Sequence, residues 1–338
     1  MNGTTENGGP RDGGAESGAG ADRRYDVVVI GGGAAGLSGA VTLARARRSV
    51  LVLDAGEPRN APAAHMHGYL GYDGRPPARL LSDGREEVAR YGGEVVRGAV
   101  AAVERLPGDE GFRVAREDGT AVVARALLVA TGLVDELPEV PGVAERWGRE
   151  VLHCPYCHGW EVRSRPVGIL STGPLAVHQA LMWRQWTEDV TLFRHTGPAP
   201  TDEEYEQLAA RGIAVVDGEV TGLEVAGDRL AGVRLAGGRL VEREAVVVQA
   251  AFTARTEGLA GLGLATAAMV VGGVPVGSHV ATGPAGATEV PRVRVAGNAA
   301  DPKATVVVAA AAGVQAAAAL NADLADDDVR RAVAARRA

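Results

Sequence analysis

The stretch that decides the fold is residues 25–54, YDVVVIGGGAAGLSGAVTLARARRSVLVLD. Its first six residues are almost all apolar, which predicts a short buried strand. A glycine-rich run, 31–36, follows at once, then helical periodicity over 37–47 and a second strand-like run, 49–54. Strand, glycine turn, helix, strand and terminal acid form the pattern of a dinucleotide-binding βαβ unit. The alternative is a glycine turn that only links a strand to a helix.

Three glycines of the run have separate expected tasks. Gly31 permits the tight turn, Gly33 lets the backbone approach a pyrophosphate, and Gly36 lets the helix pack close to the strand. The helix N-terminus offers free N–H groups to the phosphates. Asp54 lies near the spacing, about 20 residues, at which an acid binds ribose hydroxyls. The candidate cofactor-binding residues of this unit are Gly31, Gly33, Ala34, Ala35, Gly36 and Asp54.

Two later segments favour FAD over NAD as the occupant of this first unit. One strand-like segment ends in Ala130-Thr131-Gly132, and another, near the C-terminus, ends in Ala296-Gly297-Asn298. A helix is predicted from about Ala304. The candidate residues added by these segments are Ala130, Thr131, Gly132, Gly297 and Asn298.

The two cysteines of this chain lie three positions apart, in residues 153–158, HCPYCH. This spacing is typical of a redox disulfide, in which the thiolate is the working nucleophile. A zinc site using His153 and His158 is an alternative, although zinc ligands usually come from two separated pairs. A structural disulfide closing so small a loop would stabilise little. Two unreactive buried cysteines are the third alternative.

Composition restricts the class of protein. The chain has 338 residues, of which 46% are hydrophobic and 23% charged, as in ordinary globular proteins. Its net charge of −7 predicts neither nucleic acid nor an anionic membrane as a partner. Residues 1–23 are polar and glycine-rich, and we expect a disordered tail there rather than a secretory signal. A cytoplasmic location is therefore expected, and there a CxxC pair is more often catalytic or metal-binding than structural.

These motifs, in this order, resemble the flavoprotein disulfide reductases, and most closely the low-molecular-weight thioredoxin reductase family. The resemblance extends over about residues 24–324. It implies an α/β fold of two dinucleotide-binding, Rossmann-like three-layer domains, the second inserted into the first. The FAD-binding domain would be discontinuous, residues 24–133 and 252–330. Residues 134–251 would form the NAD(P)-binding-like domain that carries the CxxC pair.

The resemblance also implies roles for the catalytic candidates Cys154, Cys157 and His158. Cys157 would lie beside the flavin, and Cys154 would exchange with substrate. The family commonly has an acid after the second cysteine; here His158 stands there, and an imidazole suits base work near neutral pH. At the family's Ala-Gly-Asp segment this chain has Asn298, which can still donate and accept hydrogen bonds. No metal is expected, and His65 and His67 are expected to pack in a loop.

The second nucleotide motif departs from the family pattern. Where an NADPH-binding member has Gly-x-Gly-x-x-Ala, residues 171–176 read STGPLA, and Ser171 replaces the turn glycine. After the next strand the family has several arginines for the 2′-phosphate, whereas here Arg194 remains and acids follow at 202–204. Binding of NADH or NADPH is therefore doubtful, although a variant loop could still hold either.

A flavin and a redox dithiol without a good nicotinamide site resemble the dithiol oxidase branch of this family, the holomycin and gliotoxin type. That likeness implies an enzyme that forms a disulfide in a small-molecule dithiol, with oxygen as acceptor and hydrogen peroxide as product. It also implies a homodimer. Two alternatives stay open: an NAD(P)H-dependent reductase of a thioredoxin-like protein, and a non-catalytic redox-sensing flavoprotein.

Overall fold

The computed structural model describes residues 22–271 and 273–338. Of the predicted tail, residues 1–21 lie outside this part, and Arg23 already opens the first strand. The elements of the first unit are β1 (Arg23–Ile30), α1 (Ala34–Arg45), β2 (Val50–Asp54), α2 (Pro77–Arg90), β3 (Glu94–Arg97), β4 (Val100–Arg105), β5 (Phe112–Arg116) and β6 (Ala121–Val129).

The first sheet has the order β3-β2-β1-β6-β5-β4. The strands β3, β2, β1 and β6 run parallel, and Val27 of β1 pairs with Val50 of β2. The next two strands, β5 and β4, are antiparallel. Because β1, β2 and β6 are apolar on both faces, they can be covered on both sides, as a doubly wound sheet requires. The helix predicted over 37–47 begins earlier, at Ala34, and ends at Arg45, because Arg47 takes a left-handed φ of 65°.

A strand, β7 (Leu133–Glu136), carries the chain out of the first unit. The second unit contains β8 (Val151–Leu152), α3 (Pro155–His158), β9 (Val167–Leu170), α4 (Ala176–Trp183), β10 (Val190–Phe193), α5 (Asp202–Ala210), β11 (Ala214–Val216), β12 (Val220–Ala226), β13 (Arg229–Leu235), β14 (Leu240–Glu242) and β15 (Ala245–Val248). Its main sheet is wholly parallel, in the order β11-β10-β9-β15-β8. The strands β12, β13 and β14 form a separate antiparallel sheet.

The chain then returns to the first unit. The remaining elements are β16 (Ala251–Ala254), β17 (Thr266–Val271), β18 (Val274–Val280), β19 (Val293–Val295) and α6 (Val306–Arg337). The last strand, β19, lies parallel to β6 and completes a seven-stranded sheet. Short 3₁₀ helices lie at Pro107–Asp109, Ala144–Arg146, Ala260–Leu262, Pro284–Gly286 and Gly297–Ala299. Two Rossmann-like units, the second inserted into the first, confirm the predicted fold class.

Two antiparallel strands, β7 and β16, connect the units and pair with each other from Leu133–Ala254 to Glu136–Ala251. The predicted domain boundaries, 133/134 and 251/252, fall within this pair. Strand β16 also pairs with β18, so the connection is part of a four-stranded sheet. The two units are therefore joined by a hydrogen-bonded ribbon rather than by open loops.

The long helix α6 packs against α1 at small residues. A Cβ on Gly313 would overlap the carbonyl oxygen of Ala35, so glycine permits the close approach. By length and composition α6 could cross a membrane, since one 18-residue window has mean hydropathy 1.4, and 33% of that window is buried. The helix predicted from about Ala304 begins at Val306, and its outer face carries Val308 and Val314, which are 47% and 43% exposed.

Candidate active site

One cleft of about 1210 Å³ brings the separate motifs together. Its walls come from the β1–α1 turn, the carboxyl ends of β2 and β6, the segment before α6, and the CxxC segment of the second unit. Carboxyl ends of parallel strands are where doubly wound sheets bind ligands. The predicted residues that line it are Gly31, Gly33, Ala34, Ala35, Asp54, Ala130, Thr131, Gly132, Cys154, Cys157, His158, Gly297 and Asn298.

The glycine turn has the geometry that the three expected tasks require. Gly31 has φ +107°, and a Cβ there would overlap the carbonyl oxygen of Ala130. Gly36 lies behind the cleft wall, where a Cβ would overlap the carbonyl oxygen of Gly31. Gly33, the residue before α1, instead faces open space. The first N–H groups of α1 have no intrahelical acceptor, so this cradle fits a pyrophosphate.

The acid at the end of β2 lies against the same turn. Asp54 accepts a hydrogen bond from the backbone N–H of Gly56 at 3.0 Å. A Cβ on Gly32 would overlap the Asp54 side chain, so the middle glycine is needed for the acid to reach the turn. The sequence analysis assigned no task to Gly32. The run of three glycines at 31–33 was the available signal, since the fingerprint itself requires only two of them.

The segments that favoured FAD close the opposite side of the cleft. The hydroxyl of Thr131 donates to the carbonyl of Arg255 at 2.7 Å. The amide nitrogen of Asn298 donates to the carbonyl oxygen of Ala304 at 2.9 Å. An aspartate cannot make this bond when ionised, so Asn298 supports the loop that leads into α6. The start of α6, at Thr305 and Val306, also lines the cleft.

The sulfur atoms of Cys154 and Cys157 are bonded to each other, and the two Cα atoms are 5.3 Å apart. Cys154 precedes α3, and its carbonyl accepts the N–H groups of Cys157 and His158, both at 3.2 Å. Pro155 takes the first helical position. A backbone N–H at this position would have no acceptor within the helix, so proline costs the helix no hydrogen bond there. In the described part of the chain, no group of three or more His, Cys, Asp or Glu side chains is placed to hold a metal ion.

The two histidines that flank the disulfide have different surroundings. Burial lowers the pKa of His158, the charge of Glu161 opposes this shift, and His67 adds to it. Burial also lowers the pKa of His153, whose Nδ1 lies 3.2 Å from the carbonyl oxygen of Val248. His153 is thereby engaged with the backbone, whereas His158 faces the cleft and is held neutral, ready to accept a proton.

Aromatic contacts pack the CxxC helix, α3, against the rest of the second unit. The rings of Tyr156 and Trp186 meet edge to face at 5.6 Å between centroids. A Cβ on Gly159 would come against the Trp186 ring, so glycine lets the helix approach it. Tyr156 is 74% exposed, which places an aromatic side chain at the mouth of the cleft beside the disulfide.

The loop after β10 packs against the second nucleotide turn. Ser171, buried at the end of β9, lies so close to Gly197 that a Cβ on that glycine would overlap its hydroxyl. The N–H of Gly197 donates to the carbonyl of Ser171 at 3.0 Å. Arg194 pairs with Asp217 at 3.2 Å, and Nδ1 of His195 accepts the N–H of Val220 at 3.0 Å. The loop after β10 therefore folds onto the turn that would hold a dinucleotide.

Some cleft residues carried no usable signal in the sequence. Arg59 lies in the loop after β2 and binds Asp135 of β7. His67, from the same loop, lines the cleft opposite the disulfide. Neither residue belongs to a periodic element or a spaced motif, so only the folded arrangement indicates their importance.

Comparisons with known proteins agree with this arrangement. The chain is 49% identical to the solved structure of HlmI, with a TM-score of 0.85, covering 92% of this chain and 95% of that one. It is 35% identical to the solved structure of an oxidoreductase from Agrobacterium tumefaciens, with a TM-score of 0.82, covering 89% and 98%.

Among curated relatives, it is 35% identical over 175 residues to thioredoxin reductase tcpT of Claviceps purpurea, covering 50% of this chain and 54% of that protein. It is 37% identical over 181 residues to thioredoxin reductase sirT of Leptosphaeria maculans, covering 50% and 55%. The matched stretch spans about half the length of these curated relatives.

Residues 25–316 match the family described as pyridine nucleotide-disulphide oxidoreductase, which is most of the chain. This family implies a flavin, and the glycine cradle, the acid and the cleft fit one. The chain therefore belongs to the pyridine nucleotide-disulphide oxidoreductase family, as a thioredoxin reductase-like oxidoreductase acting on sulfur groups.

Proposed function

We propose that this protein is an FAD-dependent dithiol oxidase, which forms a disulfide in a small-molecule dithiol. One observation carries the proposal: the Cys154–Cys157 disulfide lines the same cleft as the first dinucleotide cradle, while Ser171, which replaces the turn glycine of the second nucleotide motif, packs against Gly197. Electrons then have a route between sulfur and the cradle. A nicotinamide donor has no cradle of matching quality.

The chain's own residues account for the thiol exchange. Neutral His158 accepts the proton of a substrate thiol, and the resulting thiolate attacks Sγ of Cys154. A mixed disulfide forms as the Cys154–Cys157 bond breaks, and Cys157 leaves as a thiolate. The second substrate thiol gives its proton to the freed Cys157 thiolate and attacks the substrate sulfur of the mixed disulfide. This forms the substrate disulfide, releases Cys154, and leaves two electrons and two protons with the enzyme.

Bound FAD supplies the two-electron acceptor that restores the enzyme disulfide, with oxygen as final acceptor and hydrogen peroxide as product. The residues that would hold it are those of the cradle, Gly31, Gly33 and the N-terminus of α1, together with Asp54. Asn298 and the N-terminus of α6 would support the opposite side.

The exposed position of Tyr156 supports a small dithiol as the substrate, because an aromatic ring beside the disulfide offers a stacking surface. A thioredoxin-like protein is the other substrate class that a thioredoxin reductase-like enzyme admits. We further propose a cytoplasmic homodimer, in which the exposed valine face of α6 is a candidate contact surface.

Stopped-flow spectroscopy of the purified holoprotein tests the proposal. Under anaerobic conditions, dihydrolipoamide and related small dithiols should bleach the flavin, and NADH and NADPH should not. On adding air, the colour should return with one hydrogen peroxide per dithiol. Rapid bleaching by NADPH and turnover of oxidised thioredoxin would instead establish a reductase. No bleaching by any dithiol, with a stable redox-dependent protein complex, would favour a sensor.

A further inference from the structure

His67 is held between two carboxylates that come from different units. It lies in the loop between β2 and α2 of the first unit, and its Nδ1 is 3.4 Å from Oδ1 of Asp73. Its Nε2 is 3.3 Å from Oε1 of Glu161, which follows the CxxC helix of the second unit. The His67 side chain is 22% exposed, whereas the side chains of Asp73 and Glu161 are 66% and 40% exposed, so the ring is partly shielded and its carboxylate partners are open to solvent.

Both ring nitrogens of His67 have a carboxylate oxygen as their neighbour. A neutral imidazole has one N–H and one acceptor nitrogen, whereas an ionised carboxylate only accepts. Both ring nitrogens of His67 face carboxylate oxygens, so only the doubly protonated imidazolium satisfies both contacts. The N–H of Gly68 donates to Oδ1 of Asp73 at 2.9 Å, and this bond lowers the pKa of Asp73, which keeps that partner ionised.

The proposed base, His158, lies in the same cleft as His67. His67 and His158 line the same cleft as the disulfide, on opposite units. The backbone N–H of Glu161 donates to the carbonyl of His158 at 3.2 Å, so the acid and the base share one turn of chain. Glu161 and His67 are the titratable groups that face His158, since the cysteines do not titrate while bonded to each other.

We propose that His67 is a second functional imidazole of this centre, a positioning residue that is fixed as a cation by Asp73 and Glu161 and keeps neighbouring His158 neutral. The inference rests on the proposed function, because it concerns the base at the same disulfide. Two imidazoles with opposite protonation states would then serve one centre: neutral His158 accepts the thiol proton, and cationic His67 offsets the charge of Glu161. Active sites commonly use two titratable groups whose surroundings favour opposite protonation states, so that one serves as the base and the other stays protonated.

The proposal predicts opposite effects for the two halves of one ion pair. His67→Gln removes a positive charge and leaves Glu161 unbalanced beside His158, so the pKa of His158 should rise. Glu161→Gln removes the negative charge instead, so the pKa of His158 should fall. A merely structural ion pair predicts the same effect from both variants, because each breaks the same contact.

The direct test is an NMR titration of histidine ring signals in the oxidised holoprotein, which needs no substrate or turnover. His178→Gln is the control, because His178 is exposed on α4 and outside the cleft. Opposite shifts of the His158 midpoint in His67→Gln and Glu161→Gln, with none in the control, support the proposal. Shifts in the same direction, or no shift, overturn it.

A kinetic test follows dithiol oxidation across pH. In His67→Gln, kcat/KM should fall roughly two- to tenfold at the acidic end and change little at high pH, since a single partly shielded charge contact is weak. His67→Lys should restore much of the acidic activity, because it returns the charge. A uniform loss at every pH, unaltered by lysine, overturns the proposal. If no dithiol is oxidised by the parent protein, the proposed function fails while the titration still decides the role of His67.

Discussion

The guanidinium of Arg59 donates two hydrogen bonds to the carboxylate of Asp135, at 2.7 and 2.6 Å. Asp135 belongs to β7 and is paired in register with Phe252 of β16. The same guanidinium lies 5.1 Å from the centroid of the Phe252 ring. A residue from a cleft loop of the first unit therefore holds both strands of the ribbon that leads into the second unit.

Removing Arg59 should destabilise the protein. In Arg59→Ala the side chain of Asp135, which is 8% exposed, keeps a charge without its partner. An uncompensated buried charge is strongly destabilising, and because Arg59 is partly exposed we expect about 2 kcal/mol. Urea unfolding measures the loss. The control is Arg79→Ala: the Arg79 side chain is 61% exposed, and loss of its i,i+4 pair with Asp83 should change stability by no more than about 0.5 kcal/mol. Equal losses of unfolding free energy in Arg59→Ala and Arg79→Ala would contradict this role of Arg59.

Two glycines of the first turn should behave oppositely when changed to alanine. Gly36→Ala places a Cβ on the carbonyl oxygen of Gly31, so it should lower the unfolding free energy by about 1–3 kcal/mol. Gly33→Ala meets open space within the protein and should leave folding intact. It should nevertheless weaken FAD binding roughly tenfold or more, because the pyrophosphate needs that space.

Thermal unfolding of the apoprotein and fluorescence titration with FAD separate the two glycine effects. Tight FAD binding by Gly33→Ala would show that the pyrophosphate lies elsewhere.

Either cysteine variant should abolish dithiol oxidation. Cys154→Ser removes the sulfur that we expect substrate to attack, and Cys157→Ser removes the leaving thiolate. Neither cysteine belongs to the glycine cradle, so both variants should be purified yellow with FAD bound. Hydrogen peroxide release and flavin absorbance are the two measurements. Turnover in either variant would remove the exchange mechanism, and a colourless variant would show that the disulfide also supports cofactor binding.

The pH dependence should follow the buried base. Burial lowers the pKa of His158 below its ordinary 6.5, so dithiol oxidation should lose activity only when the pH falls below 6.5. The same shift affects stability: the unfolded chain binds this proton first as the pH falls, so the unfolding free energy decreases below pH 6.5. In His158→Gln the rate should fall about 100-fold or more and the acidic limb should disappear. If His158→Gln still loses activity at acidic pH, the base is another group.

Local sequence patterns were sufficient for the fold class, and most of the predicted site residues line the cleft. A glycine turn between an apolar strand and a helix has few conformations, because Gly31 must take positive φ and Gly36 must lie against the strand. The carboxyl ends of parallel strands then meet at one edge, so Asp54 and Ala130 could be placed together without coordinates. The CxxC spacing likewise brings two sulfurs within bonding reach. These inferences depend on neighbours along the chain, where covalent geometry limits the choices.

Contacts between distant segments could be found only in the folded chain. Arg59 with Asp135, His67 with Glu161, and Ser171 with Gly197 join residues from separate loops, and loops have no periodicity that predicts their partners. Which charges meet there depends on how the two units pack, and that packing is set by many small contacts across the whole interior. Residue identities along the chain therefore specify the cradle and the disulfide. The charged contacts beside the base arise from the packing of the two units, and the contact of Ser171 with Gly197 arises from the folding of the loop after β10 within the second unit.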